Sequence, residues 1–299
     1  MEAATNKGMQ PPIKDNAEKN ASPWLEAWRS FRKNKVALVG TCIVLFFIII
    51  AILAPVIAPY GFKEQNMANR LQPPSADHWF GTDDFGRDIF SRVIFGARIS
   101  LWVGFFSVLG SVVVGTLLGI MAGYFGKWVD NIISRAFDIL LAFPSILLAI
   151  AIVAVLGPSL QNALIAIAII NIPTFGRLVR SRVLSVKEEE YIMAAKAIGM
   201  SNSRILFHHV LPNSMAPIIV QGTLAIATAI IEAAALGFLG LGAEAPNPEW
   251  GKMLADSRAL LIQSPWTVFF PGLAIVFTVL GFNLMGDGLR DALDPRMKN

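Results

Sequence analysis

Few side chains in this sequence have the type and spacing that a reactive site requires. Gly126 and Lys127 come nearest to a phosphate-binding loop, but the motif's first glycine is missing and a tryptophan follows the lysine. The glycines at 237, 240 and 242 follow an apolar helix and no strand, which predicts a turn or close packing. The sequence therefore predicts no catalytic residues and a protein that is not an enzyme.

Metal and redox sites have no better candidates. The histidines are His78, His208 and His209, and two adjacent histidines on a helix cannot both face one metal. Cys42 is the single cysteine, so neither a disulfide within the chain nor a cysteine-based metal site is possible. No metal ligands are predicted.

The elements that must position any functional residue are long and apolar. Hydrophobic residues make up 55% of the 299 residues and charged residues only 15%, whereas soluble domains carry about 25%. A helix of about 20 apolar residues crosses a bilayer core. Six runs lack any charge: residues 36–58, 99–126, 139–157, 160–176, 214–231 and 265–286. The sequence predicts an all-α membrane protein with six transmembrane helices, since strand-length alternation is absent.

Three polar side chains in or beside these spans, Asn171, Glu232 and Asn283, are candidates for a substrate pathway. A charged group in the bilayer costs roughly 2.5–3.5 kcal/mol or more, so Glu232 should face the bundle interior or water. Glu232 could line the path of a substrate, or it could equally satisfy a neighbouring helix.

The distribution of charge predicts the orientation of the chain. Lys and Arg are more numerous in the segments on the N-terminal side than in the opposite loops. The positive-inside rule therefore predicts that both termini lie in the cytoplasm. The net charge of +4 is not a nucleic-acid signal, and no nucleic-acid partner is expected.

One polar segment, residues 188–213, stands out between apolar runs: EEEYIMAAKAIGMSNSRILFHHVLPN. Its pattern predicts a polar helix, a turn at Gly199 and a second short helix that Pro212 stops. Arg204 adds positive charge to the second helix.

This segment resembles the coupling segment of ABC importer permeases. The family motif reads Glu-Ala-Ala, three residues, Gly, nine residues, Ile, one residue, Leu-Pro. Met193 stands where the motif has Glu, and His209 stands where it has Ile. The resemblance implies that the helix pair docks into a cleft on an ATPase subunit. The residues assigned to this coupling are Ala194, Ala195, Gly199, Arg204, Leu211 and Pro212.

Longer stretches resemble one type within that family, the C-type permease of dipeptide and oligopeptide ABC importers. They are residues 78–101, 233–254 and 281–295, and the likeness extends over nearly the whole chain from about residue 24. It implies a type I importer fold in the cell membrane and import of dipeptides or short oligopeptides. Glutathione and nickel importers share much of the pattern and remain alternatives. An ion-coupled secondary transporter is a further alternative. It would need buried ionisable residues along a path and usually an inverted repeat, whereas this sequence has one buried acid and no clear repeat.

The resemblance also implies partners. A homologous second permease would form the path with this chain, and two ATPase subunits would bind ATP and magnesium, so no cofactor is expected in this chain. An extracytoplasmic peptide-binding protein would deliver the cargo to residues 59–98 and 243–264. Membrane lipid surrounds the spans.

The sequence predicts five regions along the chain. These are a disordered tail (1–22), an interfacial amphipathic helix (23–35), the first transmembrane helix with an outer segment (36–98), a core permease domain that contains the coupling segment (99–286), and a cytoplasmic tail (287–299).

Overall fold

A computed structural model describes residues 23–293 of the chain, and these residues form a bundle of α-helices. Between them lie short 3₁₀ turns and loops, and the described residues contain one isolated β-bridge, Thr82 to Asp88, outside any strand. The helices are α1 (Pro23–Lys33), α2 (Lys35–Ile57), α3 (Ile89–Phe125), α4 (Lys127–Leu141), α5 (Ser145–Leu156), α6 (Leu160–Val186), α7 (Glu190–Ala197), α8 (Asn202–Ile205), α9 (Leu211–Phe238), α10 (Trp250–Ser257) and α11 (Trp266–Leu293).

Five helical runs are long and apolar enough to cross a membrane: α2, α3, α6, the run from α8 to α9, and α11. The pair α4 and α5 makes a sixth if it is counted as one broken span, with a bend of 94° between its halves. The predicted all-α membrane fold with six transmembrane helices is confirmed.

The third predicted span differs from a simple helix over 139–157. The helix breaks before Pro144, because proline disfavours helical backbone at the preceding residue and cannot donate a backbone hydrogen bond. α5 has 12 residues, which at 1.5 Å per residue spans only about 18 Å. On α4, Asp130 binds Arg180 and Asp138 binds Arg177. These two ion pairs hold α4 against α6.

The end of the predicted outer segment and the second predicted span form one continuous helix, α3, of 37 residues. The predicted boundary between residues 98 and 99 therefore falls inside an element. Asp88 caps α3 with its carboxylate, which accepts the backbone N–H of Ser91 at 2.7 Å. Asp83 and Asp84 precede the helix in a turn.

Glycines four residues apart let α3 and α6 approach closely. A Cβ atom at Gly119 would lie 2.5 Å from the Gly176 carbonyl oxygen and 2.9 Å from the Val179 Cβ. Gly115 and Gly123 meet α6 in the same way, one turn to either side. Small residues in lipid allow helix backbones to pack directly, so this seam fixes the centre of the bundle.

The helices alternate in direction and give the bundle two distinct ends. The coupling end carries residues 188–213, and there the Lys187 Nζ atom lies 3.5 Å from the Gly123 carbonyl oxygen. The loop end carries residues 58–88 and 239–265. At the coupling end Asn34, before α2, donates a 3.4 Å hydrogen bond to Asp291 near the end of α11.

Two predicted regions fall wholly or partly outside the described residues. The predicted disordered tail, 1–22, lies outside them, as do residues 294–299 of the predicted C-terminal tail. Residues 287–293 of that tail belong to α11.

Candidate functional site

The coupling segment, residues 188–213, contains two helices joined at Gly199. α7 ends two residues before this glycine, and α8 begins three residues after it. Gly199 has a φ of +80°, a conformation that L side chains rarely adopt, and nothing lies within 4 Å of the position of a Cβ atom. The glycine therefore makes the turn between the helices by its backbone conformation.

The prediction that Pro212 stops the second helix is wrong. The helical backbone continues from α8 through to the end of α9, and Pro212 lies in the first turn of α9. A π-helical turn over Leu206–Val210 precedes it, and the Leu211 N–H bonds the Leu206 carbonyl. Because that wider turn shifts the hydrogen-bonding pattern, the missing N–H of the proline does not end the helix. The coupling segment is thus continuous with a spanning helix.

One face of the coupling segment is anchored to the bundle. Ile192, Ile205 and Val210 are completely buried, and they pack in one cluster with Ile120 of α3 and Val183 of α6. Contacts of this kind join α7 and α8 to two other spanning helices. The coupling segment is therefore packed directly against α3 and α6.

The exposed face of the coupling segment carries large apolar side chains among charged and polar ones. Met193 is 52% exposed, Ile198 80% and Phe207 65%. These side chains belong to a segment at the coupling end, where the spanning helices stop. Exposed apolar side chains grouped in this way are typical of a surface that binds another protein.

The predicted coupling residues divide between these two faces. Ala195 is buried with the anchored face, and Leu211 is half-buried at the start of α9. The remaining four, Ala194, Gly199, Arg204 and Pro212, are exposed. Their assignment to ATPase coupling stays a prediction.

Polar contacts that the sequence pattern did not indicate hold the segment in place. The Tyr124 hydroxyl at the end of α3 donates to the Asn202 Oδ1 atom at 2.5 Å, and Asn213 Nδ2 donates to the Tyr191 hydroxyl at 3.1 Å. A tyrosine hydroxyl can hydrogen-bond to many kinds of side chain, so the spacing of residues in the sequence does not reveal its partner.

Two of the three predicted pathway residues meet in the bundle. Asn171 on α6 donates from Nδ2 to the Glu232 Oε2 atom on α9 at 3.0 Å. Glu232 is nine-tenths buried, and Asn171 is half-buried. Asn283 lies exposed on α11, away from this pair.

At the loop end, a buried ionic network joins segments that are far apart in sequence. The Arg87 Nε atom donates to the Asp83 carboxylate at 2.6 Å, and the Arg92 Nε atom lies 3.6 Å from it. Arg92 also donates to the carbonyl oxygens of Phe62 at 3.0 Å and Pro246 at 3.3 Å. The network ties residues 58–88 to the loop before α10, a union that the sequence did not predict.

Beside this network lies an open cavity of about 490 Å³. Its lining is mostly charged or polar: Gln65, Asp84, Phe85, Arg87, Ala245, Pro246, Lys252 and Asp256. Partial burial, with Asp83 nearby, raises the pKa of the Asp84 carboxyl, and Lys252 is paired with Asp256. The cavity combines both segments that the sequence assigned to reception of a binding protein.

Glu249 fixes α10 against the end of α9. Its carboxylate caps α10 by accepting the backbone N–H of Gly251 at 2.8 Å and of Lys252 at 2.7 Å. Gly237 packs directly on this carboxylate, and Gly240 makes the following turn at a φ of +78°. The predicted roles of these glycines in packing and turning are confirmed.

The burial of Glu249 predicts a dependence of stability on pH. Desolvation raises the pKa of its carboxyl from 4.5 to about 7, against the opposing effect of the two backbone donors. As pH rises from about 4.5 to about 7, the unfolded chain ionises before the folded one, so the folded state loses up to about 3 kcal/mol from this group. Thermal unfolding of purified protein in detergent measures the loss of stability. The Glu249→Gln variant should lack the part of the pH dependence that the Glu249 carboxyl causes. An identical pH dependence in the variant would contradict the assignment.

Two models of known protein families match parts of this sequence. Residues 115–299 match the family model described as "Binding-protein-dependent transport system inner membrane component". This chain belongs to that family. Residues 22–74 of the permease match a second model, the "N-terminal TM domain of oligopeptide transport permease C". The permease is therefore a multi-pass membrane component of an ABC importer.

Curated relatives cover almost the whole permease. It is 66% identical to the dipeptide transport system permease protein DppC of Alkalihalophilus pseudofirmus, over 97% of this chain and 95% of the relative. It is 51% identical to the glutathione transport system permease protein GsiD of an Escherichia coli strain, over 93% and 92%. It is 48% identical to GsiD of Pectobacterium atrosepticum, over 97% and 96%.

Solved structures support the fold of the permease. A chain of the inward-facing MetNI methionine ABC transporter aligns with a TM-score of 0.56 at 18% identity, over 68% of this chain and 96% of that chain. The predicted type I importer permease fold is confirmed.

Proposed function

We propose that this permease moves dipeptides or short oligopeptides across the cell membrane, driven by ATP that separate subunits hydrolyse. The observation that carries the proposal is the two-faced coupling segment. Its exposed apolar face, with Met193, Ile198 and Phe207, suits the cleft of an ATPase, while its buried face is packed on α3 and α6. A docked ATPase pair that closes on ATP would shift this segment and the helices attached to it.

The mechanism follows from how firmly the segment is attached. Its π-helical turn continues into α9, and its buried face is part of the same cluster as Val179 and Val183 of α6. Packed interiors behave as rigid bodies, so movement at the cytoplasmic surface reaches the bundle with little loss. ATP binding then favours one arrangement of the bundle over another that already exists.

Orientation and partners complete the proposal. The coupling end faces the cytoplasm, and because α1 and the end of α11 meet there, both termini lie in the cytoplasm as well. A homologous second permease forms the path with this chain, and two ATPase subunits hold ATP and magnesium. An extracytoplasmic binding protein docks at the loop end, where the polar cavity lies.

Peptides are the favoured cargo because the relative named as a dipeptide permease is more similar to this chain than the glutathione permeases. Glutathione is the second candidate, supported by those relatives. Both cargoes carry a cationic amino group and at least one carboxylate, so the two candidates demand related chemistry from the path.

Reconstitution tests the proposal. The complete importer is placed in proteoliposomes, and uptake of radiolabelled alanylalanine is measured with and without ATP, against glutathione as competitor. We expect uptake that requires ATP and the binding protein and that glutathione inhibits weakly. Saturable uptake of glutathione but not of alanylalanine would favour the second candidate. Uptake that an ion gradient drives without ATP would contradict the importer mechanism.

A further inference from the structure

Glu232 lies inside a spanning helix, where an acidic side chain needs a specific reason. It is 9% exposed and precedes the end of α9 at Phe238 by six residues, or about 9 Å along the helix. Asn171 donates to its Oε2 atom, and the same amide nitrogen lies 3.0 Å from the Ile167 carbonyl oxygen. The amide thus holds the carboxylate in a defined position on the α6 side of α9.

The carboxylate has no cationic partner within the chain as described. Among residues 23–293, no Lys, Arg or His nitrogen lies within 4.0 Å of it. Its Oε1 atom accepts no hydrogen bond from these residues, yet it is not one of the fully enclosed polar atoms that lack a partner. A charge in a membrane span is costly unless something compensates it. If Glu232 is ionised, the cation that compensates its charge comes from outside the described residues.

The surroundings of Glu232 show where such a cation could arrive. On α9, Thr228 lies one turn earlier and Ile231 one residue earlier, and both are exposed. On α6, Thr174 follows Asn171 by three residues and is exposed as well. The opposite side of α9 is closed, since Ile230 packs on Gly104 of α3. Glu232 therefore borders a face, partly polar, that this chain leaves open.

From this geometry we infer that the Glu232 carboxylate, positioned by Asn171, binds the cationic amino group of the cargo as it crosses the membrane. The inference rests on the proposed peptide import, because an unmodified peptide carries an ammonium group at its N-terminus. An ammonium donates up to three hydrogen bonds, and a carboxylate offers acceptors without rearrangement. In a site of low dielectric this pairing is stronger than in water. Glu232 would thus select cargo with a free amino terminus.

Glu232→Gln is the decisive variant, because glutamine keeps the shape and the acceptor for Asn171 but removes the charge. The complete importer in proteoliposomes is compared with wild type at saturating binding protein and alanylalanine. We expect uptake to fall at least about tenfold, while subunit assembly and the thermal unfolding temperature stay unchanged. A purely structural clamp between α6 and α9 predicts uptake equal to wild type, and that result overturns the inference. Loss of subunit assembly in the variant also overturns the inference, because that result assigns the cation to a partner subunit.

Glu232→Asp is the matched control, because it keeps the charge on a shorter side chain. We expect it to retain more uptake than Glu232→Gln. Equal loss in both variants attributes the effect to shape and contradicts a role for the charge. Failure of the proposed function is a separate outcome, since then wild type itself takes up no peptide.

Discussion

Replacing Gly199 with tryptophan should abolish transport while leaving the permease inserted in the membrane. The backbone at Gly199 has a φ of +80°, which costs a residue with a Cβ atom roughly 1–2 kcal/mol. The indole would also occupy the open space at the turn, beside the exposed face of the coupling segment. We expect ATP-dependent uptake to fall by at least about tenfold, with loss of ATPase subunits from the purified complex.

Gly199→Asn separates the two causes, because asparagine tolerates the left-handed conformation better than other residues do. It should keep the turn and much of the ATPase association. Copurification followed by quantitative mass spectrometry measures the association, and the amount of permease in the membrane fraction reports insertion. Normal uptake in the tryptophan variant would refute docking at this segment.

Replacing Gly119 with leucine should remove most of the folded protein. A Cβ atom there would lie 2.5 Å from the Gly176 carbonyl oxygen, and backbone atoms cannot move aside as a flexible side chain can. Overpacking typically costs about 1–3 kcal/mol and occasionally more. Because the seam between α3 and α6 is central to the bundle, we expect a cost at or above that range. The yield of monodisperse protein in detergent and its unfolding temperature provide the measurement.

Gly110→Ala is the matched control on the same pair of helices. A Cβ atom at Gly110 would meet the Ala168 Cβ at 3.4 Å, an ordinary contact. This variant should fold like wild type or be slightly more stable, since alanine favours helix over glycine by about 1 kcal/mol. Comparable destabilisation in both variants would show that helix composition, and not the seam, limits stability.

The coupling end and the loop end offer different kinds of surface. At the coupling end, apolar side chains such as Ile198 and Phe207 are exposed on a short helical segment. At the loop end, the cavity near Arg87 and Lys252 is lined by charged groups. Apolar surface suits a permanently attached subunit, whereas charged groups favour fast and reversible encounter. The two ends therefore suit different partners, as expected of an ABC importer permease, which works with ATPase subunits and a binding protein.

Much of the architecture is predictable from the sequence because bilayer physics acts on local composition. Runs without charge indicated the spans, since each backbone polar group in lipid must be satisfied within its own helix. The four-residue spacing of Gly115, Gly119 and Gly123 is typical of a packing seam between helices in lipid. Gly199 indicated a turn, because few residues adopt its backbone conformation. Each of these signals lies within a single continuous stretch of sequence, the longest of them being the runs that span the bilayer.

Other features required the tertiary structure, because they depend on which helices become neighbours. The break before Pro144 could be expected, but the contact of α4 with α6 depends on Arg177 and Arg180, about 40 to 50 residues away. Pro212 is a second example. Proline predicted the end of a helix from local sequence, but the π-helical turn before it lets the helix continue.

The sequence by itself determined the class of protein, the spans and the segment that resembles a coupling segment. Only the tertiary structure decided that Glu232 meets Asn171, a residue 61 positions earlier, and that Arg92 joins Phe62 to Pro246. The physical reason is that hydrophobic length and backbone preference are local properties, whereas a polar contact between helices exists only after packing has brought them together. A lone acid in an apolar run marks a site worth testing, and its partner is known only from the fold.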